Sequence, residues 1–335
     1  MFASTKHLAQ TILSGCLILG GVGCDDTPEP GPGGSGWDNS ACDALSGFDY
    51  TDLSQLNPDL FPGQQEMYDE LRTMVDFGPR HTASKADNDY IDYVESRMVA
   101  MGLKDITRDP VQVDGLNLLS WPSAPTSGTA HHIYGILPGM TEEIIVLGVH
   151  SDGQNSIEEN GVPVLLEIAE YLTKVPEVCR RHTFALVFPT SHMATSDSQE
   201  AAGWATKHPD VMEDAVAFVS PEHLGHLVNG EPLTFELMGT SANMRSKSQE
   251  IINEMGFREI SVGSTGIGTG GAWRAISGKP TLAGMTSPVQ SYLGGLVNPS
   301  LGIDRVDKRV FYDSTVFFAR MVGYLDGLSE GELSR

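Results

Sequence analysis

The chain is poor in basic residues: 21 Lys and Arg stand against 44 Asp and Glu in 335 residues, a formal net charge of −23. Phosphate recognition needs clustered Lys and Arg, so this balance argues against a nucleic-acid partner. It equally argues against docking on an anionic membrane through a basic face. Cysteine is scarce, with Cys16, Cys24, Cys42 and Cys179 spaced unlike any zinc finger. No apolar run is long enough to span a bilayer; the longest, Ile12 to Val22, is too short. There is no internal repeat and no G-x-S-x-G elbow, which argues against a serine hydrolase of that type. What remains is ordinary: 40% hydrophobic and 19% charged residues, a globular composition with room for one large α/β domain or two small ones.

The first residues read as an address. Lys6 precedes the apolar Ile12–Val22 stretch, the layout of an export signal. It ends at Gly21-Val22-Gly23-Cys24, which resembles a lipoprotein processing site with Cys24 as the lipid-bearing residue. Gly21 departs from the Leu usual there; Leu13-Ser14-Gly15-Cys16 fits the box better but leaves too little apolar length before it. Pro and Gly dominate residues 25–36, which suits an extended tether. The expected organisation is a lipoprotein-type signal peptide at 1–23, a tether at 24–41 and a single domain at 42–335. The expected location is the cell envelope or outside the cell, with membrane attachment only through Cys24. In an oxidising compartment Cys42 and Cys179 can pair; otherwise they are two thiols.

Helical spacing covers 63–77, 84–101, 162–172, 199–207, 243–255 and 304–328. Strand patterns cover 107–113, 117–121, 131–137, 144–149, 182–189, 215–220, 233–238 and 280–285. Strands and helices alternate, and several strands are apolar throughout, as in strands buried on both faces. The expected fold is α/β, a three-layer sandwich with a mostly parallel or mixed central sheet and helices on both faces. Ligands in such sheets sit at the carboxyl ends of strands.

Those ends are rich in metal donors. His150-Ser151-Asp152-Gly153 follows one strand, and Glu158-Glu159-Asn160-Gly161 precedes the next helix. Thr190-Ser191-His192 follows another strand, and Glu222-His223 a third. His and carboxylate are the usual zinc donors in hydrolytic sites. Gly266–Gly271 matches G-x-G-x-x-G, but it comes late in the chain and no acid lies at 286–295, so it reads as a loop over a cleft and not as a dinucleotide site. His81, His131, His132, His182 and His208 read as surface or capping residues.

With these motifs the chain resembles the co-catalytic two-zinc aminopeptidases, a family that also contains the glutaminyl cyclases. The resemblance covers about residues 65–328 and includes Phe77-Gly78-Pro79-Arg80, Ile136-Leu137-Pro138-Gly139 and Leu165-Leu166-Glu167-Ile168-Ala169. It implies that fold and hydrolysis of peptide or amide bonds. It places His150 on the first zinc ligand and Asp152 on the group that orients it. Glu159 falls on the bridging Asp, His192 on a ligand Glu and Glu222 on a ligand Asp. Ser191 falls on the general-base Glu, so Glu158, His223 or the metal centre itself must replace that function. The late ligand His has no equivalent, since Ser291-Tyr292-Leu293 occupies that region. The expectation is therefore a divergent zinc-dependent hydrolase holding one ion rather than two through His150, Glu159, His192 and Glu222. Its substrate would be a peptide or aminoacyl compound, with His223 contacting it and Trp273 either lining its pocket or forming part of the core. The alternative is a metal-free, inactive relative that binds a peptide or protein partner.

Overall fold

The computed structural model describes residues 40–45, 48–50, 52–114, 125–192, 200–263, 268–286, 298 and 300–335. The expected signal peptide, most of the tether, the strand at 117–121 and the Gly266–Gly268 approach up to residue 267 lie outside these.

In chain order the elements are α1 Ser40–Asp43, α2 Gln64–Asp76, α3 Lys85–Met101, β1 Lys104–Asp114, β2 Ser127–Leu137, β3 Ile144–Gly148 and α4 Gly161–Lys174. They continue with β4 Thr183–Phe188, α5 Ala201–Lys207, α6 Pro209–Asp214, β5 Ala215–Glu222, β6 Leu227–Val228, β7 Glu231–Pro232, β8 Phe235–Gly239 and α7 Ala242–Met255. The last are β9 Ile260–Gly263, α8 Thr269–Ser277, β10 Thr281–Thr286, α9 Lys308–Asp326 and α10 Glu330–Leu333. The helices begin and stop where local chemistry dictates. Ser84 accepts the Asp87 N–H at 3.0 Å and Gly102 ends α3 at φ 76°. Asp307 accepts the Val310 N–H at 2.8 Å to start α9, and left-handed Gly256 closes α7.

Eight strands form one mixed sheet in the order β1-β2-β4-β3-β5-β10-β8-β9. The central four, β4, β3, β5 and β10, run parallel, while β1, β2 and β8 pair antiparallel with their inner neighbours. Alternation along each central strand divides the core between two faces. Ile145, Leu147 and Val149 join the larger cluster with α2, α3, α4 and α9. Ile144 and Val146 join a smaller one with Trp204 of α5 and Trp273 of α8. Both faces are covered, as the apolar runs require.

Trp273 lies at the centre of the smaller cluster, fully buried and stacked on Phe218 at 5.3 Å. Its indole N–H donates to the Gly148 carbonyl at 3.1 Å. It packs α8 onto the sheet, and its full burial corrects its assignment to substrate contact. Residues 269–271 likewise belong to α8 and not to a loop. Three of the histidines read as surface or capping residues are buried: His81, His132 and His182. His132 accepts the Thr190 N–H at 3.0 Å, and His182 is held between Asp326 and Glu143. Cys42 and Cys179 form a disulfide, tying α1 to the turn before β4. Among the described residues, no helix is long and apolar enough to cross a membrane.

Candidate functional site

The carboxyl ends of β3, β4 and β5 are stitched to one another by short-range bonds. The Ser151 N–H donates to the Pro189 carbonyl at 2.9 Å, and the Gly153 N–H to the Arg80 carbonyl at 2.9 Å. The loop before α4 is fixed to the loop after β5 by a reciprocal pair. Asn160 Nδ2 donates to the Leu224 carbonyl, and the Leu224 N–H returns to Asn160 Oδ1, each at 2.8 Å. Thr286, the last residue of β10, donates its hydroxyl to the His223 carbonyl. These ties bring His150, Glu158, His192, Glu222 and His223 together.

Two overlapping groups of donor atoms result. His150, Glu158 and His192 form one, His150, Glu222 and His223 the other, with all atoms within 4.8 Å of one another in each. His150 Nε2 stands 3.7 Å from Glu222 Oε1, and His223 Nε2 3.8 Å from Glu158 Oε1. Both are too long for hydrogen bonds. Donors held about 2.1 Å from a tetrahedral zinc lie roughly 3.4 Å apart, so the spacing is that of a cation gap.

The protonation pattern suits a cation. His150 Nδ1 lies 2.8 Å from the Asp152 main-chain carbonyl, which can only accept, so Nδ1 carries the proton and Nε2 presents its lone pair. That Nε2 is buried and partnerless, as are Glu158 Oε2 and both ring nitrogens of His223. Burial, with the charge of His192, pushes His150 down to about 4, so it is neutral at pH 7. Burial drives His223 well below the usual histidine range. Burial also pushes Glu158 up to about 8 and Glu222 up to about 7. Buried polar atoms without partners are costly, and these belong to three residues of the two donor groups.

His192 is oriented differently. Its ring stacks on His150 at 4.0 Å, and Nδ1 lies 2.9 Å from Glu200 Oε2. Burial would lower its pKa, but the carboxylates of Glu200, Glu222 and Asp152 win and hold it up at about 10. Glu200 in turn is pulled down to about 2 against its own burial, first by the His192 charge. Glu222 is held by the Thr269 N–H at 2.8 Å. Gly268, at φ 77°, lies so close that a methyl group there would overlap Glu222 Oε2.

Several expectations are revised. Glu159 lies in neither donor group. Its carboxylate is ion-paired to Arg80, both side chains almost wholly buried, and Arg80 also binds the carbonyls of Met74, Gly78 and Asn155. Glu158, one residue earlier, occupies the donor position instead. Asp152 orients His150 through its main-chain carbonyl; its carboxylate accepts the Thr82 hydroxyl and, at 3.2 Å, the His192 N–H. His223, expected to touch substrate, stands within a donor group. Ser191 is buried with a partnerless hydroxyl, at φ 78°, a left-handed conformation that costs a non-glycine residue about 1–3 kcal/mol. Glu200 and Thr269 escaped sequence reading altogether: Glu200 lies eight residues past His192 in a polar stretch, and no motif marks it.

The sequence matches no protein-family model and no curated protein significantly. The fold does have solved counterparts. Porphyromonas gingivalis glutaminyl cyclase matches with TM-score 0.61 at 16% identity, over 80% of this chain and 99% of that one. A Zn-dependent exopeptidase from Parabacteroides distasonis matches with TM-score 0.61 at 14% identity, over 80% and 98%. The aminopeptidase from Aneurinibacillus sp. strain AM-1 matches with TM-score 0.62 at 10% identity, over 82% and 95%. The chain thus has the zinc-aminopeptidase-like fold.

Proposed function

We propose that this protein is a zinc-dependent hydrolase of peptide or amide bonds that holds one ion between the ends of β3, β4 and β5. The observation that carries the reading is the triad His150, Glu222 and His223, whose donor atoms lie within 4.8 Å of one another, with His150 Nε2 and both His223 ring nitrogens buried and partnerless. The donor set is imidazole and carboxylate, which suits zinc. His150, Glu222 and His223 would hold the ion; His192, grouped with His150 and Glu158, could join them only after losing the proton that Glu200, Glu222 and Asp152 favour. Such an ion, when bound, supplies Lewis-acid polarisation of a substrate carbonyl. Glu158 is the group placed to move a proton, because its carboxyl is buried beside the donors and is pushed up to about 8. The His192 Nδ1–H donates to Glu200 Oε2, which fixes the ring. Peptidase-like counterparts of the same fold support a peptide or aminoacyl substrate.

One observation favours a second reading, a non-catalytic peptide binder: Ser191 offers a hydroxyl where the family resemblance expects a carboxylate base. Zinc content of the purified chain, followed by amino-acid release from a panel of aminoacyl amides, separates the two. Stoichiometric zinc with turnover that Glu158→Gln lowers about 10²–10⁴-fold supports the hydrolase. Zinc-free protein without turnover supports the binder. Export and a lipid on Cys24 belong to the same reading; the Cys42–Cys179 disulfide supports an oxidising compartment. Cys24→Ala should then abolish fatty-acid labelling of the chain in cells, and undiminished labelling would contradict the anchor.

A further inference from the structure

We infer that Thr269 and Glu200 are positioning residues that lock three of the donors into one arrangement and thereby set how tightly the chain holds its cation. The inference rests on the cation reading above but on different bonds. Thr269 is the first residue of α8 and is fully buried. Its backbone N–H donates to Glu222 Oε1 at 2.8 Å, and its hydroxyl donates to Glu200 Oε1 at 2.7 Å. The same hydroxyl oxygen accepts the His150 backbone N–H at 3.4 Å. Glu200 Oε2 takes the other end of the relay, 2.9 Å from His192 Nδ1.

The direction of every bond follows from chemistry. A carboxylate only accepts, so Glu200 accepts one hydrogen bond from Thr269 and one from His192. With its single O–H donated to Glu200, the Thr269 hydroxyl meets the His150 N–H as an acceptor. The Thr269 hydroxyl and the Glu200 carboxylate therefore join the end of β3 to the segment after β4, and the Thr269 backbone N–H adds the end of β5. The relay fixes the His192 ring through its Nδ1. Outer partners of this kind tune a metal centre through the orientation and basicity of the groups that touch it.

The test uses the purified full chain, stripped of metal and titrated with zinc against a chromophoric chelator. Thr269→Val keeps the branched shape and the backbone N–H but removes the hydroxyl; Thr269→Ser restores it; Glu200→Gln removes the charge at a partly exposed residue. T269V and E200Q should bind zinc about 10–100-fold more weakly, and T269S should recover the wild-type constant. A second readout needs no metal. With ¹⁵N-labelled histidine, the His192 Nδ1 proton of the metal-free chain should exchange roughly tenfold faster in T269V than in wild type or T269S, the worth of about one hydrogen bond. Wild-type zinc affinity in both T269V and E200Q overturns the inference. If the wild-type chain takes up no zinc, the cation reading above fails, and the proton exchange alone decides whether the brace exists.

Discussion

Glu158 and Glu159 are neighbours in sequence, yet the structure gives them opposite duties, and Glu159→Gln separates these. Glu159 and Arg80 are 0% and 1% exposed, so no water replaces a lost partner. Burial pushes Glu159 up to about 7 even against the Arg80 charge, so the pair is ionised and complete near pH 8. Removing one partner of such a pair leaves the other buried and uncompensated, which costs about 3–5 kcal/mol. At about 2–4 °C per kcal/mol, the melting temperature should fall by on the order of 10 °C. Zinc affinity should stay at the wild-type value, because Glu159 lies in neither donor group. Glu222→Gln should do the reverse. In the metal-free chain above pH 7, Glu222 is ionised in a buried position that raises its pKa from 4.5 to about 7. Relieving that is worth on the order of 3 kcal/mol, so the metal-free variant should be more stable than wild type while binding zinc far more weakly. The assay is urea unfolding of the metal-free variants beside zinc titration of each. E159Q losing zinc affinity as severely as E222Q, with its stability intact, would refute the division of labour.

Further outcomes follow from the same geometry. Glu158 and Glu222 have folded-state pKa values raised above the unfolded value of 4.5, so metal-free stability should be greatest below about pH 4.5 as far as these groups decide it. It should then decline as pH rises through about 7–8; a metal-free stability that climbs from pH 5 to 8 would contradict this. Gly268→Ala would drive a methyl into Glu222 at a left-handed position, so zinc binding should weaken with little change in far-ultraviolet circular dichroism; unaltered affinity would count against the cradle. Reducing Cys42–Cys179, which closes a span of 137 residues, should lower stability by about 2–5 kcal/mol in urea unfolding, and no shift of the midpoint would show that the loop constraint matters little. Trp273→Ala should cost about 3–5 kcal/mol by leaving a core void, and a loss of substrate affinity at unchanged stability would return Trp273 to the cleft.

Much of the architecture was legible because its causes are local. Apolar runs at 144–149 and 182–189 mark strands covered on both sides, and Ser84, Gly102 and Gly256 mark helix ends with their own chemistry. His150, His192, Glu222 and His223 were legible for the same reason, since each lies at or just past a strand end. The identity of the inward carboxylate in Glu158-Glu159 was not. It is decided by Arg80, 79 residues earlier, which claims Glu159 through a loop pairing with Gly153 that no spacing rule anticipates. Trp273 misled because a tryptophan beside a glycine-rich stretch reads equally as pocket wall or core. Its place depends on Gly148 and Phe218, residues on two other elements. Glu200 carries no motif, Thr269 is a variable position of the Gly266–Gly271 stretch, and both become significant only when the strand ends are brought side by side.

Anomalous diffraction at the zinc absorption edge, from crystals of the chain grown with zinc, tests the central claim most directly. The account predicts one strong peak about 2.0–2.2 Å from both His150 Nε2 and a Glu222 carboxylate oxygen, with His223 or His192 completing the shell. A zinc-loaded crystal with its only anomalous peaks elsewhere, or with His150 Nε2 turned onto a protein acceptor, would contradict it.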